Sequence, residues 1–208
     1  MQKISYAITA CNEHEELDRL LLFLAPLVRD EDEIVVQLDT AATKEVKDLI
    51  LVKWKYYLTT TTSFKLNNDF ATFKNNLSKV CTGDFIFQID ADEVPNKYLI
   101  ENLGAILDSN LTVDVYAVPR INTVSGLLPE HINKWGWKVN EMGYINFPDY
   151  QWRIYRNVPT ITWVNKVHEQ LSGHKAYCIL PSVEHYCLSH HKNIERQVKQ
   201  NDFYDTIG

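Results

Sequence analysis

The 208-residue chain contains only seven glycines, and neither of the two glycine-rich loops that commonly cradle phosphates is present. The first apolar stretch is not followed by G-x-G-x-x-G, and G-x-x-x-x-G-K-[ST] occurs nowhere in the chain. Both motifs bind phosphate through backbone N–H groups at the start of a helix. Any nucleotide is therefore expected to be held by side-chain carboxylates and a metal ion.

Cysteine pairs, long apolar runs and basic clusters are also missing. The four cysteines are scattered with no Cys-x-x-Cys pair, which argues against a zinc site and suits a reducing compartment. The leucine-rich segment 17–28 is interrupted by charges and a proline, so no membrane span is expected, and the N-terminus does not resemble a signal peptide. A formal net charge of -6 without a dense basic run makes nucleic acid an unexpected partner. We predict a cytoplasmic protein for which a peripheral membrane contact is allowed.

The composition that is present predicts a folded domain with a substantial core, since 45% of the residues are apolar and 12% are aromatic. Apolar strand patterns alternate with helical spacings through the first part of the chain. The predicted strands lie at 4–10, 34–38, 54–58, 85–90 and 113–118. This order, with nearly all-apolar strands, predicts an α/β fold with a Rossmann-like, mostly parallel sheet and helices on both faces.

The pattern changes after residue 120. The stretch 122–148 is rich in Gly, Trp and Asn and has weak periodicity, which is typical of a long functional loop. The elements predicted after it are short strands at 150–155, 161–164 and 167–170 and a polar helix at 193–204. We see no repeat or linker, and predict a single domain, 1–208, in which 121–208 elaborate the face of a nucleotide-binding half, 1–120.

The most informative stretch is 83–95, where an apolar run ends in Asp90, Asp92 and Glu93 and then a proline. This pattern indicates a buried strand that opens into a charged site, at the strand end where α/β sheets bind ligands. Alternate residues of a strand share a face, so Asp90 and Asp92 are predicted to point the same way. Two neighbouring carboxylates repel, and a hard divalent cation relieves the repulsion. Taken alone, the motif fits a solvated acidic turn as well.

Two earlier strands also end in polar residues. Asn12 and Glu13 follow the first strand, and Asp39 and Thr40 follow the second. Because ligands of a doubly wound sheet bind at the carboxyl ends of its strands, we expect these loops to meet the Asp90 loop in one crevice.

Several stretches together resemble family 2 glycosyltransferases, most closely the small bacterial branch that includes lipopolysaccharide core glycosyltransferases. The most specific part is DFATFKNN at 69–76, followed by TGDF and DADE within 82–93. The strand and C-N-E turn within 4–16, PDYQWRIYR at 148–156 and VHE at 167–169 fit the same pattern. The resemblance covers nearly the whole chain. It implies the GT-A fold of nucleotide-diphospho-sugar transferases, with 1–120 binding the nucleotide sugar and 121–208 on the acceptor side.

The donor-binding residues implied by the resemblance are Ala10, Asn12, Glu13, Asp39, Lys74, Asp90 and Ala91. Glu13 and Asp39 are expected at the base or ribose of the donor, and Lys74 at a phosphate. Lys74 stands where the family usually has arginine, so it keeps the charge but loses the bidentate fork. The loop after Asp39 lacks a second acid, which leaves the contact with the base open.

The implied metal site is formed by Asp92, with Asp90 beside it, around a Mn²⁺ or Mg²⁺ ion that bridges the diphosphate. Such an ion stabilises the charge of the departing nucleoside diphosphate. A late histidine often supplies a further metal or phosphate ligand in such folds. His185 fits that position best, and His190 and His191 are the alternates.

Family 2 enzymes invert the anomeric carbon in one displacement, which requires a general base near the acceptor hydroxyl. The resemblance makes Glu169 the candidate base, with His168 orienting it. The alternative is that Glu169 only pairs with Arg153 or Arg156. The aromatic residues that either stack on sugar rings or simply pack are Trp135, Trp137, Tyr144 and Trp152.

The implied function is a metal-dependent, inverting transfer of a sugar from a nucleotide-diphospho-sugar donor to a hydroxyl of a glycan or lipopolysaccharide-type, lipid-linked acceptor. A haloacid dehalogenase-like phosphohydrolase is one alternative, because 90–94 satisfy its D-x-D-x-V motif. That fold normally begins with this strand and needs a later acidic pair, which is missing here. The other alternative is a non-catalytic sugar- or nucleotide-binding module of the same fold.

Overall fold

The computed structural model describes the backbone of residues 1–207 and the side chains of 1–199 and 201. The strands are β1 Ile4–Ala10, β2 Glu33–Asp39, β3 Thr60–Phe64, β4 Phe85–Asp90, β5 Glu93–Pro95, β6 Val115–Ser125, β7 Ile145–Arg156, β8 Thr162–Val164, β9 Gln170–Ser172, β10 Tyr177–Ile179 and β11 Leu188–Asn193. The helices are α1 His14–Leu24, α2 Lys44–Asp48, α3 Phe70–Ser78, α4 Lys97–Asp108, α5 Pro129–Trp135 and α6 Ile194–Ile207. Along this described backbone, no helix combines the length and apolar character that a bilayer span requires.

One large sheet carries the fold, with strand order β3-β2-β1-β4-β7-β6-β11-β5, and β10 pairs with β6 beside that path. Strands β3, β2, β1 and β4 are mutually parallel, and β7 runs antiparallel between β4 and β6. Strand β11 lies parallel to β6 and antiparallel to β5. Strands β8 and β9 form a separate hairpin. The α/β fold with a mostly parallel sheet is therefore confirmed.

Both faces of the central strands are buried, which explains their nearly continuous apolar sequences. On β4, Phe85, Phe87 and Ile89 belong to the larger core cluster, together with apolar residues of α1 and α4. Ile86 points to the other face, where it joins a smaller cluster that includes Leu77 of α3. Helices on both faces thus seal the strands and leave their carboxyl ends open.

A buried carboxylate ties together the starts of β1, β2 and β4. Glu33 is 3% exposed, and it accepts hydrogen bonds from Ser5 Oγ at 2.5 Å, Thr82 N at 2.6 Å and Thr82 Oγ1 at 2.9 Å. Burial alone would raise the pKa of Glu33, but these hydrogen bonds outweigh it and lower the pKa. Gly83 packs against the same point, since a Cβ there would lie 2.6 Å from Ser5 N.

The strand predicted at 54–58 is wrong, because the third strand begins at Thr60. A π-helical turn, Leu49–Lys53, continues α2, and Trp54 N–H bonds to Leu49 O at 3.1 Å. The indole of Trp54 is buried and donates to Asp18 Oδ1 at 2.8 Å, whereas Tyr56 is 86% exposed. The aromatic residues that suggested a strand therefore sit at a helix end.

Two further predictions differ from the structure. The expected loop 122–148 contains the end of β6, helix α5 and the first residues of β7. Pro129 in the first turn of α5 and Gly136, with φ of 64°, at its end are standard helix boundary signals. The strand expected at 167–170 is a turn in which His168 has φ of 53°, and only its last residue belongs to β9.

Candidate functional site

A cavity of about 710 Å³ lies at the carboxyl ends of β1, β2 and β4. Its lining includes most of the residues implied by the resemblance: Ala10, Glu13, Asp39, Lys74, Asp90, Ala91, Asp92, His168 and Glu169. Asn12 and His185 do not line it. The expectation that the three polar strand ends meet in one crevice is therefore met in the structure.

The carboxylates of Glu13 and Asp39 shape their own loops at one end of the cavity. Glu13 Oε2 accepts from Cys11 N at 2.8 Å and from Asn12 N at 2.9 Å, so Asn12 contributes its backbone here. Asp39 accepts from Ala41 N at 2.6 Å and from Leu66 N at 2.8 Å. Both acids hold backbone that forms the cavity wall.

Asp90 ends β4 and is surrounded by cations. Its Oδ2 accepts from Arg153 Nη2 at 2.6 Å, and its Oδ1 lies 3.7 Å from Lys74 Nζ and 3.2 Å from Thr9 Oγ1. Burial alone would raise the pKa of Asp90, but the charges of Arg153 and Lys74 outweigh it and lower the pKa far below its ordinary value. Asp90 is therefore a permanently charged acceptor.

Glu93, the third acid of the stretch 90–93, forms the centre of a buried charge network. It is fully buried, and its Oε1 accepts from Arg153 Nη2 at 2.6 Å and from Arg120 Nη1 at 2.8 Å. Arg120 also contacts Asp149 Oδ2 at 2.7 Å. The network fixes Arg153 against Asp90.

Neither arginine of this network was assigned to the site from the sequence: Arg120 was not considered, and Arg153 was considered only as a partner of Glu169. Each interrupts an apolar strand pattern, Arg120 in β6 and Arg153 in β7. Charged side chains are rarely buried without a partner, so an arginine inside such a pattern signals a buried acid nearby. That signal was present, but it does not identify the acid.

Asp92 faces basic side chains from the end of the chain. Its Oδ2 lies 3.3 Å from His190 Nε2, 3.7 Å from Lys192 Nζ and 3.7 Å from Arg196 Nη2. Burial alone would raise the pKa of Asp92, but the hydrogen bond and charge of His190 and the charge of Lys192 lower it well below its usual range. Asp92 is thus held as a carboxylate in the lining of the cavity.

The structure brings His190, and not His185, to Asp92. His185 is exposed on a 3₁₀ turn, with its ring edge against Tyr98 at a centroid distance of 5.2 Å. His190 Nδ1 contacts Asn122 Oδ1 at 2.8 Å, which orients the ring. His191, the other alternate, points away and contacts Thr123 Oγ1 at 2.8 Å through Nδ1.

Glu169 pairs with Lys74 rather than with either arginine considered from the sequence. The Lys74 ammonium donates to Glu169 Oε1 and lies 4.8 Å from the centroid of the Trp163 ring. Lys74 is 3% exposed, so its charge is held inside the cavity wall. Arg153 is engaged with Asp90, and Arg156 Nε contacts Asp114 Oδ1 at 3.3 Å.

The aromatic residues beyond β6 fall into two groups. Trp137, Tyr150 and Trp152 line the cavity. Trp135 packs on Trp137 with ring centroids 4.6 Å apart, and Tyr144 packs on Phe147 instead of the cavity. Flat apolar faces at the cavity edge suit sugar rings, whose C–H faces pack on aromatic side chains.

The residues at Asp92 fit a divalent cation that arrives with a phosphate ligand. A carboxylate oxygen and an imidazole nitrogen lie together there, and both residues line the cavity. Within the described part of the chain, no three His, Cys, Asp or Glu side chains group so as to hold a metal by themselves. Mg²⁺ sites commonly combine one or two protein carboxylates with substrate phosphates and water. The pair is suited to that kind of site.

An open α/β sheet with a carboxylate-rich cavity at its carboxyl edge is typical of nucleotide-binding domains. Comparison with known proteins identifies the family to which the chain belongs. It belongs to glycosyl transferase family 2, whose family model matches residues 5–173. The expected enzyme class, a glycosyltransferase, is confirmed by this match. Among curated proteins, no significant match was found.

Solved structures with the same fold include TarS from S. aureus. Its fragment 1–349 has a TM-score of 0.63 and 18% identity, with 91% of this chain and 60% of that chain covered. The fragment in complex with UDP-GlcNAc has a TM-score of 0.56 and 19% identity, with 88% and 60% covered. A longer TarS structure has a TM-score of 0.56 and 19% identity, with 98% and 38% covered.

The chain thus spans less than two thirds of the TarS chains it resembles. At a sequence identity of 18–19%, the similarity to TarS shows a shared fold. Together with the family match, it confirms the GT-A fold expected from the sequence.

Proposed function

We propose that the chain is a metal-dependent, inverting glycosyltransferase that uses a nucleotide-diphospho-sugar donor. The observation that carries the proposal is the convergence of Glu13, Asp39, Asp90 and Asp92 in one cavity of a family 2 chain. A volume of about 710 Å³ is within the range of ordinary ligand sites. The TarS fragment has been solved with UDP-GlcNAc, a donor of the proposed class.

In this proposal the donor lies along the carboxyl edge of the sheet. Asp39 and the Glu13 loop contact the base or ribose, and the diphosphate extends toward Asp92. Asp90, held by Arg153, is left to accept from a ribose hydroxyl or to approach the cation. Ala10 and Ala91 have small side chains, which allows the donor to approach the strand ends.

Asp92 and His190 are the residues that would hold the divalent cation, and phosphate oxygens and water would complete its coordination. Such a cation supplies charge stabilisation for the departing nucleoside diphosphate without protonating it. His190 replaces His185 in this assignment, because the His185 ring lies against Tyr98 outside the cavity.

Glu169 is the proposed general base. It removes the proton of the acceptor hydroxyl as the acceptor oxygen forms a bond to the anomeric carbon, and the bond from that carbon to the diphosphate oxygen breaks. The bonding electrons leave with the nucleoside diphosphate, and the proton stays on Glu169. Lys74 holds the carboxylate of Glu169 in place before the acceptor binds, through the ion pair between the two side chains.

The proposed acceptor is a glycan or a lipid-linked glycan, and it enters along Trp137, Tyr150 and Trp152. These side chains lie within the segment from α5 to the end of β7, and β1 and β4 separate β7 from β2 in the sheet. Stacking on an aromatic face positions a sugar ring while leaving its hydroxyls exposed to the base.

A thermal-shift panel of UDP, GDP, ADP and CMP sugars with and without Mn²⁺ tests the donor site. A ligand present at 100 times its dissociation constant stabilises the native state by about 2.7 kcal/mol. We expect one nucleotide family to raise the Tm in the presence of Mn²⁺. The absence of any metal-dependent shift would overturn the proposal.

Turnover separates the enzyme from a non-catalytic binding module of the same fold. With the donor selected by the panel and an oligosaccharide acceptor mixture, we expect release of the nucleoside diphosphate and a product of inverted anomeric configuration by NMR. Binding without release under every acceptor condition favours the module. The phosphohydrolase alternative loses its support, because the chain belongs to family 2 and its Asp-x-Asp motif begins at the end of β4, the fourth strand along the chain, whereas that fold normally begins with this strand.

A further inference from the structure

Four polar side chains from different parts of the sheet form one row of contacts along the wall of the cavity. Asp149 lies on β7, Asn122 on β6 and His190 on β11. The row ends at Asp92, in the turn between β4 and β5, and all four residues line the cavity. Asn122 and His190 are aligned neighbours in the parallel pair of β6 and β11, so their side chains leave the sheet on the same face.

The row begins at a carboxylate that is fixed and charged. Asp149 Oδ2 accepts from Arg120 Nε at 2.9 Å and from Arg120 Nη2 at 2.7 Å, and its Oδ1 accepts from Gln151 Nε2 at 2.8 Å. Burial alone would raise the pKa of Asp149, but the charge of Arg120 and the hydrogen bond from Asn122 outweigh it and lower the pKa. An ionised carboxylate only accepts hydrogen bonds, so each neighbour of Asp149 must donate.

The Asn122 amide can meet this carboxylate in only one orientation. Its Nδ2 group donates to Asp149 Oδ2 at 2.7 Å. The reverse orientation would place the amide oxygen against the carboxylate, with no proton between two acceptors. The amide oxygen Oδ1 is therefore turned to the other side, where it lies 2.8 Å from His190 Nδ1.

The position of the proton on the His190 ring follows from the orientation of this amide. Because Asn122 Oδ1 only accepts, His190 Nδ1 must carry the proton of the hydrogen bond between them. A neutral imidazole has a single N–H group, so its lone pair is then on Nε2. Nε2 is the nitrogen that lies 3.3 Å from Asp92 Oδ2. The row thus presents a nitrogen lone pair and a carboxylate at the same point.

We propose that Asp149 and Asn122 are positioning residues, which hold His190 in the tautomer whose Nε2 lone pair is directed at the cation site proposed at Asp92. The inference rests on the proposed function and adds two residues that do not themselves contact the cation. Without the carboxylate of Asp149 the amide is free to turn over, and the opposite tautomer becomes equally compatible with Asn122. Partners of this kind commonly contribute about 10- to 100-fold to metal affinity.

Nuclear magnetic resonance tests the tautomer directly. The chain is labelled with ¹⁵N-histidine and saturated with UDP and with Zn²⁺, a diamagnetic probe that accepts imidazole nitrogen as a ligand. Multiple-bond ¹H–¹⁵N spectra distinguish a protonated ring nitrogen from a metal-bound one, and His190→Gln identifies the signals of His190. We expect Nδ1 to be protonated and Nε2 to be metal-bound. Metal on Nδ1, a proton on Nε2 or a ring without bound metal would overturn the inference. If the nucleotide panel selects GDP, GDP replaces UDP.

Binding of Mn²⁺ at saturating UDP, measured by electron paramagnetic resonance, tests the contribution of Asp149. In Asp149→Asn, which keeps the shape of the side chain but removes its charge, we expect the affinity for Mn²⁺ to fall about 10- to 100-fold. Asp114→Asn is the matched control, because Asp114 is also paired with an arginine, at 3.3 Å from Arg156 Nε, and does not line the cavity. We expect it to bind Mn²⁺ like the native chain.

Two further variants distinguish positioning from a general loss of structure. Asn122→Leu leaves the ion pair of Arg120 and Asp149 in place, and we expect it to weaken Mn²⁺ binding as Asp149→Asn does. The double variant Asp149→Asn/Asn122→Asp exchanges the amide and the carboxylate, so that the group beside His190 Nδ1 can again only accept. We expect the exchange to restore the native tautomer and most of the lost affinity. A double variant that binds Mn²⁺ no better than Asp149→Asn would contradict the inference.

The outcomes separate this inference from the function on which it rests. If the native chain binds Mn²⁺ with UDP, and Asp149→Asn and Asn122→Leu bind it equally well, the row has no positioning role and the proposed function stands. If the native chain binds neither the nucleotide nor the cation, the proposed function fails and the inference with it.

Discussion

Asp90 and Asp92 are two residues apart in the sequence, yet different charged side chains surround the two carboxylates. The charge of Asp90 is balanced by ion pairs with Arg153 and Lys74, whose side chains are buried in the wall of the cavity. Asp92 instead faces basic side chains of β11 and α6: its Oδ2 lies 3.3 Å from His190 Nε2 and 3.7 Å from both Lys192 Nζ and Arg196 Nη2. Asp92, which has the His190 imidazole beside it in the cavity, is therefore the acid of the pair that we propose for the cation.

Replacing Asp92 with asparagine is expected to abolish the Mn²⁺-dependent part of the donor thermal shift and to lower transfer at least about a hundredfold, since loss of one stabilising group at a developing charge commonly costs this much. The measurements are the thermal-shift panel and release of the nucleoside diphosphate. Asp48→Asn, on the exposed side of α2, removes an equal charge and is expected to leave both unchanged. A native shift in Asp92→Asn would contradict the assignment.

Glu169 gives a separate prediction, because a general base affects chemistry more than binding. In Glu169→Gln we expect kcat to fall by about 10²- to 10⁴-fold, while the donor still produces its full thermal shift. The exposed Glu130→Gln is the matched control. If Glu169→Gln transfers sugar at the native rate, another group is the base and the donor site is unaffected.

The choice between His185 and His190 shows which information the sequence alone did not provide. His185 was chosen from a local motif, but only the burial pattern of β11 distinguishes the candidates: Leu188, His190 and Lys192 face inward, and the residues between them are exposed. Period-two alternation is readable in a sequence when apolar residues mark one face. Here the inward face is itself polar, so the pattern was hidden.

At the scale of elements, the buried Glu33 holds the starts of three strands through hydrogen bonds from Ser5 and Thr82. Its pKa is lowered on folding, so its contribution to stability is complete above its unfolded pKa of about 4.3 and is lost as the pH falls through the lower folded value.

Glu33→Gln is therefore expected to reduce the free energy of unfolding by about 1.5 to 3 kcal/mol at pH 7, which is typical of hydrogen bonds to a charged group. The difference from the native chain is expected to shrink as the pH is lowered below about 4. Urea unfolding at a series of pH values measures it, with the exposed Glu141→Gln as the control. A difference that stays constant with pH would show that the charge is not what stabilises these strands.

Elements with strong local patterns were predicted well, and those decided by tertiary contacts were not. Strands β1, β2 and β4 and helices α3 and α4 follow directly from apolar spacing. The misplaced third strand came from Trp54, whose indole is buried by a contact with Asp18 in α1, 36 residues away. No local pattern encodes such a contact.

At the scale of the whole molecule, the cavity gives a test that needs no substitution. Cys11 lines it and is half-buried, and burial together with Asp39 and Glu13 raises the pKa of its thiol. We expect maleimide to modify Cys11 slowly, because the thiolate is the reactive form.

The donor nucleotide is expected to slow this modification further, in proportion to the fraction of sites occupied. Modification of Cys178, which does not line the cavity, serves as the internal control and is expected to be unchanged. Peptide mass spectrometry measures both. Equal rates for Cys11 with and without a saturating nucleotide would place the donor elsewhere.

The overall fold and the donor side of the site could be predicted, because the motifs at the ends of β1, β2 and β4 are contiguous in sequence and their convergence follows from the sheet. The basic side around Asp92 could not. It depends on β11 pairing with β5, across about a hundred residues, and no motif announces that pairing. The single-domain organisation, the acceptor and the cytoplasmic location stay predictions.

Strand β11 lies beside β5 in the sheet but comes almost a hundred residues later in the sequence, so the surroundings of Asp92 are completed late during synthesis. Strands β1 to β4 lie within residues 4–90 and are therefore made first. Asp92 obtains its neighbours only after residues 188–196 have emerged and closed a long loop, which is a slow step in folding. A nascent chain therefore carries Asp92 without its basic neighbours until residues 188–196 have been made.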